Sequence, residues 1–206
     1  MIKIEVEDLC AVISRAAELK EGKDGETFLS FQVKLPVKGH DGSKADMEIG
    51  VSLNGDKGLK AVYTKGRRIH CKGVINVRKR KGVTYFNLRA DGNVEIAPSG
   101  DEDNLTGIME FRGKIGKNGV DSKTGKSGKP FKAFSAFSSE KDGDSTEFTW
   151  VRFLYFEPKD GEDFLDKERY VTIHGDARFS AFKDAVSMEC IVSDAAPWEL
   201  SKESKE

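Results

Sequence analysis

The chain has 206 residues, room for one large domain or two small ones, with 33% charged and 37% hydrophobic residues and a formal net charge of −1. No uninterrupted run reaches the roughly 18 apolar residues that a membrane-spanning helix needs, and the charged, alternating start Met1-Ile-Lys-Ile-Glu-Val-Glu-Asp8 resembles neither a secretory signal nor a transit peptide, so a soluble cytoplasmic protein is expected. Near-neutrality argues against a generic polyanion binder, yet it is an average, because residues 1–97 carry +5 and residues 98–206 carry −6.

In chain order, alternation of apolar and polar residues predicts strands over 10–19, 27–37 and 46–53, a short helical stretch over 58–64, and strands over 68–78 and 83–96. The polar run Pro98-Ser-Gly-Asp-Glu-Asp-Asn104 has the composition of a linker or long turn. Beyond it the pattern returns: strands over 108–115, 131–138 and 148–156, a helical stretch over 162–167, and strands over 170–182 and 185–192. The return is a repeat. Gly25, Phe28, Phe31 and Lys38 fall on Gly128, Phe131, Phe134 and Lys141 at a constant offset of 103, and Gly73 falls on Gly175 at 102, which requires one insertion or deletion between. Between these blocks DMEIGVSL is set against TWVRFLYF.

Five alternating strands with a short helix between the third and fourth describe the OB-fold, a partly open Greek-key barrel. The expected fold is therefore all-β, two tandem OB-fold barrels each with one short helix, as domains over 1–98 and 105–200. Cys10, Cys71 and Cys190 are odd in number and far apart, without a CxxC pair or a neighbouring histidine cluster, so they are expected as reduced, buried thiols and no metal or cofactor is expected. His40, His70 and His174 are scattered, and no nucleophile elbow or HExxH occurs; His70 and His174 are expected on outward positions of the fourth strands without a Ser or Asp partner. A non-enzymatic, binding role follows.

Side-chain parity gives that role a location. Trp150, Arg152 and Phe156 share one face of their strand, and Arg178 and Phe182 share one face of theirs. Val151, Phe153, Tyr155, Val171, Ile173, Ala177 and Phe179 take the opposite, core-like parity. The outer face is thus aromatic and basic together, which suits stacking on unpaired bases, with cations to hold phosphates. Phe131 is a lesser stacking candidate. The segment 114–132 carries six lysines against the single acid Asp121 and reads as a flexible cationic loop bordering that face, with Lys123, Lys126 and Lys129 as candidate phosphate contacts; the alternative is an ordinary solvated loop. Aromatic residues with arginine also mark protein interfaces, so protein docking remains the alternative function.

The first copy differs. Met47, Ile49, Val51 and Leu53 form its core set, leaving Asp46, Glu48, Gly50 and Ser52 on the outer face, where carboxylates repel phosphate. Its cations lie on the fourth strand, at Arg68, His70, Lys72, Arg78 and Arg80, and at the hairpin Arg78-Lys-Arg-Lys-Gly82. That tip reads equally as a phosphate contact and as a solvated, aggregation-resistant turn. Trp198 reads as a packing residue near the chain end.

Three blocks of the second copy, Gly128 to Ser139, Thr149 to Phe156 and Tyr170 to Arg178, resemble the core blocks of bacterial single-stranded DNA-binding proteins. The resemblance implies stacking of bases on Trp150, Phe156 and Phe182. A further aromatic of that family, just after the second strand, has no counterpart, Glu140 and Lys141 taking its place. It implies binding of single-stranded DNA, or alternatively RNA, with little sequence preference. As the family commonly assembles four OB units, two units per chain imply a homodimer. The mixed-charge end, Leu200 to Glu206, lacks the acidic, apolar-tipped tail through which family members recruit partners.

Overall fold

The computed structural model describes residues 1–92, 94–156, 158–159 and 161–199; the end from Leu200 to Glu206 lies outside the described residues. The first unit comprises β1 (Ile2–Glu21), β2 (Thr27–Lys38), β3 (Lys44–Asn54), the single turn α1 (Lys57–Lys60), β4 (Arg68–Arg80), β5 (Val83–Ala90) and β6 (Glu95–Ala97). The second comprises β7 (Asn104–Thr124), β8 (Pro130–Asp142), β9 (Ser145–Phe156), β10 (Tyr170–Phe182) and β11 (Ala185–Pro197). Strand order is β1-β2-β3-β5-β4 closed by β1–β4 in the first unit, and β7-β8-β9-β11-β10 closed by β7–β10 in the second. Each barrel has one parallel pair, β3–β5 and β9–β11. The order is that of the OB barrel, twice, as the alternation predicted.

The leading strand of each barrel serves two neighbours by bending. β1 pairs with β4 over Ile2–Val12 and with β2 over Val12–Glu21, with register shifts that turn it from one to the other. Likewise β7 pairs with β10 up to Lys114 and with β8 from Lys114 onward. The front half of β1 also pairs antiparallel with β7, from Ile2 opposite Phe111 to Cys10 opposite Asn104, which joins the two barrels edge to edge. Gly73 and Gly175 show why the repeat keeps a glycine: a Cβ would lie 2.1 Å from the Arg89 carbonyl oxygen in one barrel and 2.0 Å from that of Ile191 in the other. Only a bare backbone lets the neighbouring strand pass so close.

The core follows parity. Met47, Ile49 and Val51 in β3, Val151 and Phe153 in β9 and Val171 and Ile173 in β10 are all but fully buried. Phe153 anchors the second core, with Phe111 edge-on at 4.9 Å and Phe134 stacked at 5.1 Å. Cys10, Cys71 and Cys190 are free and buried, and burial pushes the thiols of Cys71 and Cys190 up to about 12. Phe179 is only partly buried in its own barrel; it meets Phe86 of the first unit edge-on at 6.0 Å.

Four expectations change. The first strand begins at Ile2 rather than Cys10, because Ile2, Ile4 and Val6 are buried and the intervening Lys3, Glu5 and Glu7 exposed. The segment expected as a flexible loop over 114–132 is mostly paired backbone: β7 and β8 extend as a ribbon from Val120 opposite Phe134 to Thr124 opposite Pro130, closed by a turn at 125–129 with Gly125 N donating to the Lys129 carbonyl at 2.9 Å. Its lysines had suggested solvation, but a two-stranded ribbon solvates side chains without freeing the backbone. The helical stretch expected over 162–167 is a series of turns, held by the Tyr155 hydroxyl donating to Glu162 at 2.9 Å and by burial of Leu165. The strand expected over 83–96 is two, β5 and β6, separated at Asp91-Gly92, where Gly92 has φ of 73°.

The hairpin between β4 and β5 is docked on the hairpin between β8 and β9. Arg78 pairs with Glu140 at 2.7 Å, Lys79 Nζ donates to the Phe148 carbonyl at 3.2 Å, and the backbone N–H groups of Lys81 and Gly82 donate to Asp142 and Glu147 at 3.2 and 3.0 Å.

Candidate nucleic-acid interface

Cross-strand register builds the outer face of the second barrel. β8 and β9 set Phe131 opposite Phe156, Ser135 opposite Arg152, Phe137 opposite Trp150 and Ser139 opposite Phe148. Residues directly opposite in an antiparallel pair point the same way. Two aromatic clusters therefore stand on one face. Phe131 stacks on Phe156 at 5.4 Å, while Phe137 lies 4.9 Å from Trp150, tilted, and 5.2 Å from Phe148, edge-on. The rings pack against each other yet remain open to solvent: Trp150 is 52% exposed, Phe156 50% and Phe148 44%.

Arg152 stands between the two clusters, and the parallel pairing of β9 with β11 brings it next to Glu189, at 3.6 Å. Arg178 of β10 is opposite Glu189 on its other side, so two arginines flank one carboxylate and the row stays net positive. The exposed Arg152–Glu189 pair is weak, worth roughly 0–1 kcal/mol, and an arriving phosphate can compete for it. Phe182 lies four residues beyond Arg178, at the β10–β11 tip, 58% exposed with the Lys183 ammonium 5.4 Å from its ring.

The ribbon walls a groove of about 430 Å³ against Trp150 and Arg152, with Lys117 and Lys123 on its rim. Gly116 forms part of its floor: a Cβ there would lie 3.1 Å from Cζ3 of Trp150, so the glycine makes room for the indole. Lys123 faces Phe131 by register and pairs with Asp121 at 3.7 Å, while Lys126 and Lys129 lie at the exposed tip.

The fold thus brings Trp150, Arg152, Phe156, Phe131 and Lys123 together, with Arg178, Lys126 and Lys129 around them; Phe182 is carried instead on the β10–β11 tip, which leans on the β2–β3 hairpin of the first barrel, Ser43 Oγ donating to the Ala181 carbonyl at 2.9 Å. Arg78 and Arg80 lie elsewhere, at the junction of the barrels, where Arg78 holds Glu140. Phe137, Phe148 and Lys117 were missed. Parity could have found the aromatics, since Phe148 is two residues before Trp150 and Phe137 six after Phe131. Trp198 lies edge-on to Tyr170 at 5.8 Å, a packing role.

His70 does not stand alone as expected. Its Nδ1 is 3.1 Å from Asp8 and its Nε2 3.0 Å from Asp101, while Arg68 pairs with Asp103, so the linker folds back on β4. Hydrogen bonds to Asp101, then Asp8, raise the His70 pKa.

No protein-family model and no curated protein sequence matches the chain. Among solved structures, the wild-type single-stranded DNA binding protein from Thermus aquaticus is similar at 13% identity over 98% of this chain and 94% of that one, with a TM-score of 0.49. The Plasmodium falciparum SSB in complex with ssDNA is similar at 21% identity over 48% of this chain and 99% of that one, TM-score 0.37. The N-terminal domain of the PriB protein from Thermoanaerobacter tencongensis is similar at 18% over 46% and 98%, TM-score 0.30. At such identities the likeness concerns the fold alone. The solved structures similar to this chain thus include single-stranded DNA-binding proteins.

Proposed function

We propose that the chain binds single-stranded DNA with little base preference, through the outer face of its second barrel, and acts where single strands are exposed: replication, recombination, repair or mobile-element transfer. The observation that carries this reading is the set of half-exposed aromatic rings on one basic sheet face, Phe148, Trp150 and Phe156 flanked by Arg152 and the lysine ribbon. Base–aromatic stacking is worth roughly 1–3 kcal/mol per base and is indifferent to sequence, because every base has a π-face. Arg152, Arg178, Lys123, Lys126 and Lys129 would hold phosphates. Lysines on the rim also favour nucleic acid over the docking alternative, since lysine is depleted where proteins meet proteins. The role is non-catalytic, the location cytoplasmic, and two chains would associate as a homodimer presenting four barrels.

The test is a fluorescence titration with oligo(dT) in a Trp198→Phe background, leaving Trp150 as the sole reporter. Stacking quenches it, and affinity falls with salt at a log–log slope of about −3.5 for five phosphate contacts. Absence of quenching and of binding at low salt would remove the reading; equal affinity for oligo(U) would extend it to RNA. Sedimentation of the free chain reads the homodimer.

A further inference from the structure

We propose that Cys10, His70 and Asp101 form a site for a thiophilic divalent cation, zinc foremost, at the root of the linker between the barrels. The three donors come from three segments, β1, β4 and the linker, and one ligand atom of each lies within 4.8 Å of the other two. Register brings the first two together, Cys10 being opposite His70 in the β1–β4 ladder. The linker then folds over them and delivers Asp101, whose Oδ2 is 3.0 Å from His70 Nε2.

The donor set suits zinc. Thiolate, imidazole and carboxylate are its ordinary ligands, and three protein ligands with a water in the fourth position make an open tetrahedral site. Metal–nitrogen and metal–oxygen bonds of about 2.0–2.2 Å at a tetrahedral angle separate the two donors by about 3.3 Å. Against His70, Asp101 need move only a few tenths of an ångström; drawing the whole set, whose ligand atoms lie within 4.8 Å of one another, to the roughly 3.6 Å that sulfur and its neighbours keep around zinc takes up to about 1 Å. The second nitrogen of the ring is already provided for: His70 Nδ1 meets Asp8 at 3.1 Å, and Asn104 Nδ2 holds the other Asp8 oxygen at 2.8 Å. A carboxylate on the far side of a histidine orients the ring and strengthens it as a ligand. Arg68 Nη1 lies 3.8 Å from Cys10 Sγ, and Asp103 engages it. Cys10 is buried while His70 and Asp101 are half-exposed, which leaves a path from solvent. On binding, Zn²⁺ displaces the thiol proton and any proton on Nε2 to solvent.

Cobalt(II) reads this site without reference to nucleic acid. The full chain, reduced and then freed of reductant, is titrated with Co²⁺ and back-titrated with Zn²⁺. One equivalent binds, with a thiolate-to-cobalt charge-transfer band and tetrahedral visible bands that zinc abolishes. Cys10→Ser removes the charge-transfer band, Asp101→Asn weakens binding at least tenfold, and Asp8→Asn weakens it roughly 10–100-fold through the ring. Asp101 is in the half-exposed linker, so that variant keeps the fold even if the buried Cys10 substitution does not. Failure to bind one equivalent of either metal, or binding that both Cys10→Ser and Asp101→Asn leave unchanged, overturns the site.

Discussion

The outer faces of β3 and β9 are the same surface built twice with opposite chemistry. Gly73 and Gly175 set the correspondence. Counting along the ladders from them, Leu88 matches Cys190, and Val51, opposite Leu88, matches Phe153, opposite Cys190. Asp46, Glu48, Gly50 and Asn54 therefore occupy the places of Phe148, Trp150, Arg152 and Phe156. In the first barrel Asp46 takes Lys34 as partner at 2.6 Å, so even the nearest cation is consumed. The cores beneath are alike. What separates a barrel fit to stack bases from one that is not is therefore a handful of outward side chains, which cost the fold little to exchange.

Exchanging them is the strongest way to break the comparison. Trp150→Glu with Arg152→Gly writes the first barrel's face onto the second; affinity for oligo(dT), read by fluorescence anisotropy, should fall about 100-fold while the melting temperature drops by only a few degrees, since a stacking platform and a phosphate contact go together and the core is untouched. Unchanged affinity would place the site elsewhere. Phe137→Ala should weaken binding about tenfold by removing the ring that both Trp150 and Phe148 lean on, and should destabilise the fold by about 2 kcal/mol because that ring is half-buried. The reverse graft, Glu48→Trp with Gly50→Arg, should tighten binding of long oligonucleotides about fivefold; a Cβ at Gly50 finds its nearest neighbour, Asn87 Oδ1, at an ordinary 3.5 Å. No gain on any length would show that the first barrel's face is out of the strand's reach.

Two finer substitutions sharpen the boundary. Gly116→Ala nudges the indole aside without removing it and should cost only about two- to threefold in affinity, well below the loss of a stacked ring. Arg78→Ala should change affinity less than twofold and stability by under about 1 kcal/mol, as for an exposed ion pair. A tenfold loss of binding would instead return Arg78 to the phosphate contacts.

Parity was the legible part of this molecule. It separated Val151, Phe153 and Tyr155 from Trp150, Arg152 and Phe156 correctly, because alternate residues of a strand face opposite ways whatever the partner strand is. Register between the copies was not legible. The block DMEIGVSL, set against TWVRFLYF, put Met47 on Trp150, a core residue on an outer one; the ladders slide it by one. The missing residue lies in the hairpin, where Lys38 and Lys44 enclose five residues and their counterparts Lys141 and Thr146 only four. Lysine content likewise misled at 114–132, since cations say that side chains are wet and nothing about whether the backbone is paired. The His70 cluster lies further out of reach, because Cys10, His70 and Asp101 are brought together only when β1 finds β4 and the linker returns.

The β1–β7 ladder makes the partnership of the barrels indifferent to dilution. Where OB units of separate chains must find one another, their association follows protein concentration by mass action; here the second unit is always present at the effective concentration a short tether confers. Because β1 and β7 each lend an edge to the other barrel, melting either exposes its neighbour's backbone, and the two should unfold in one transition.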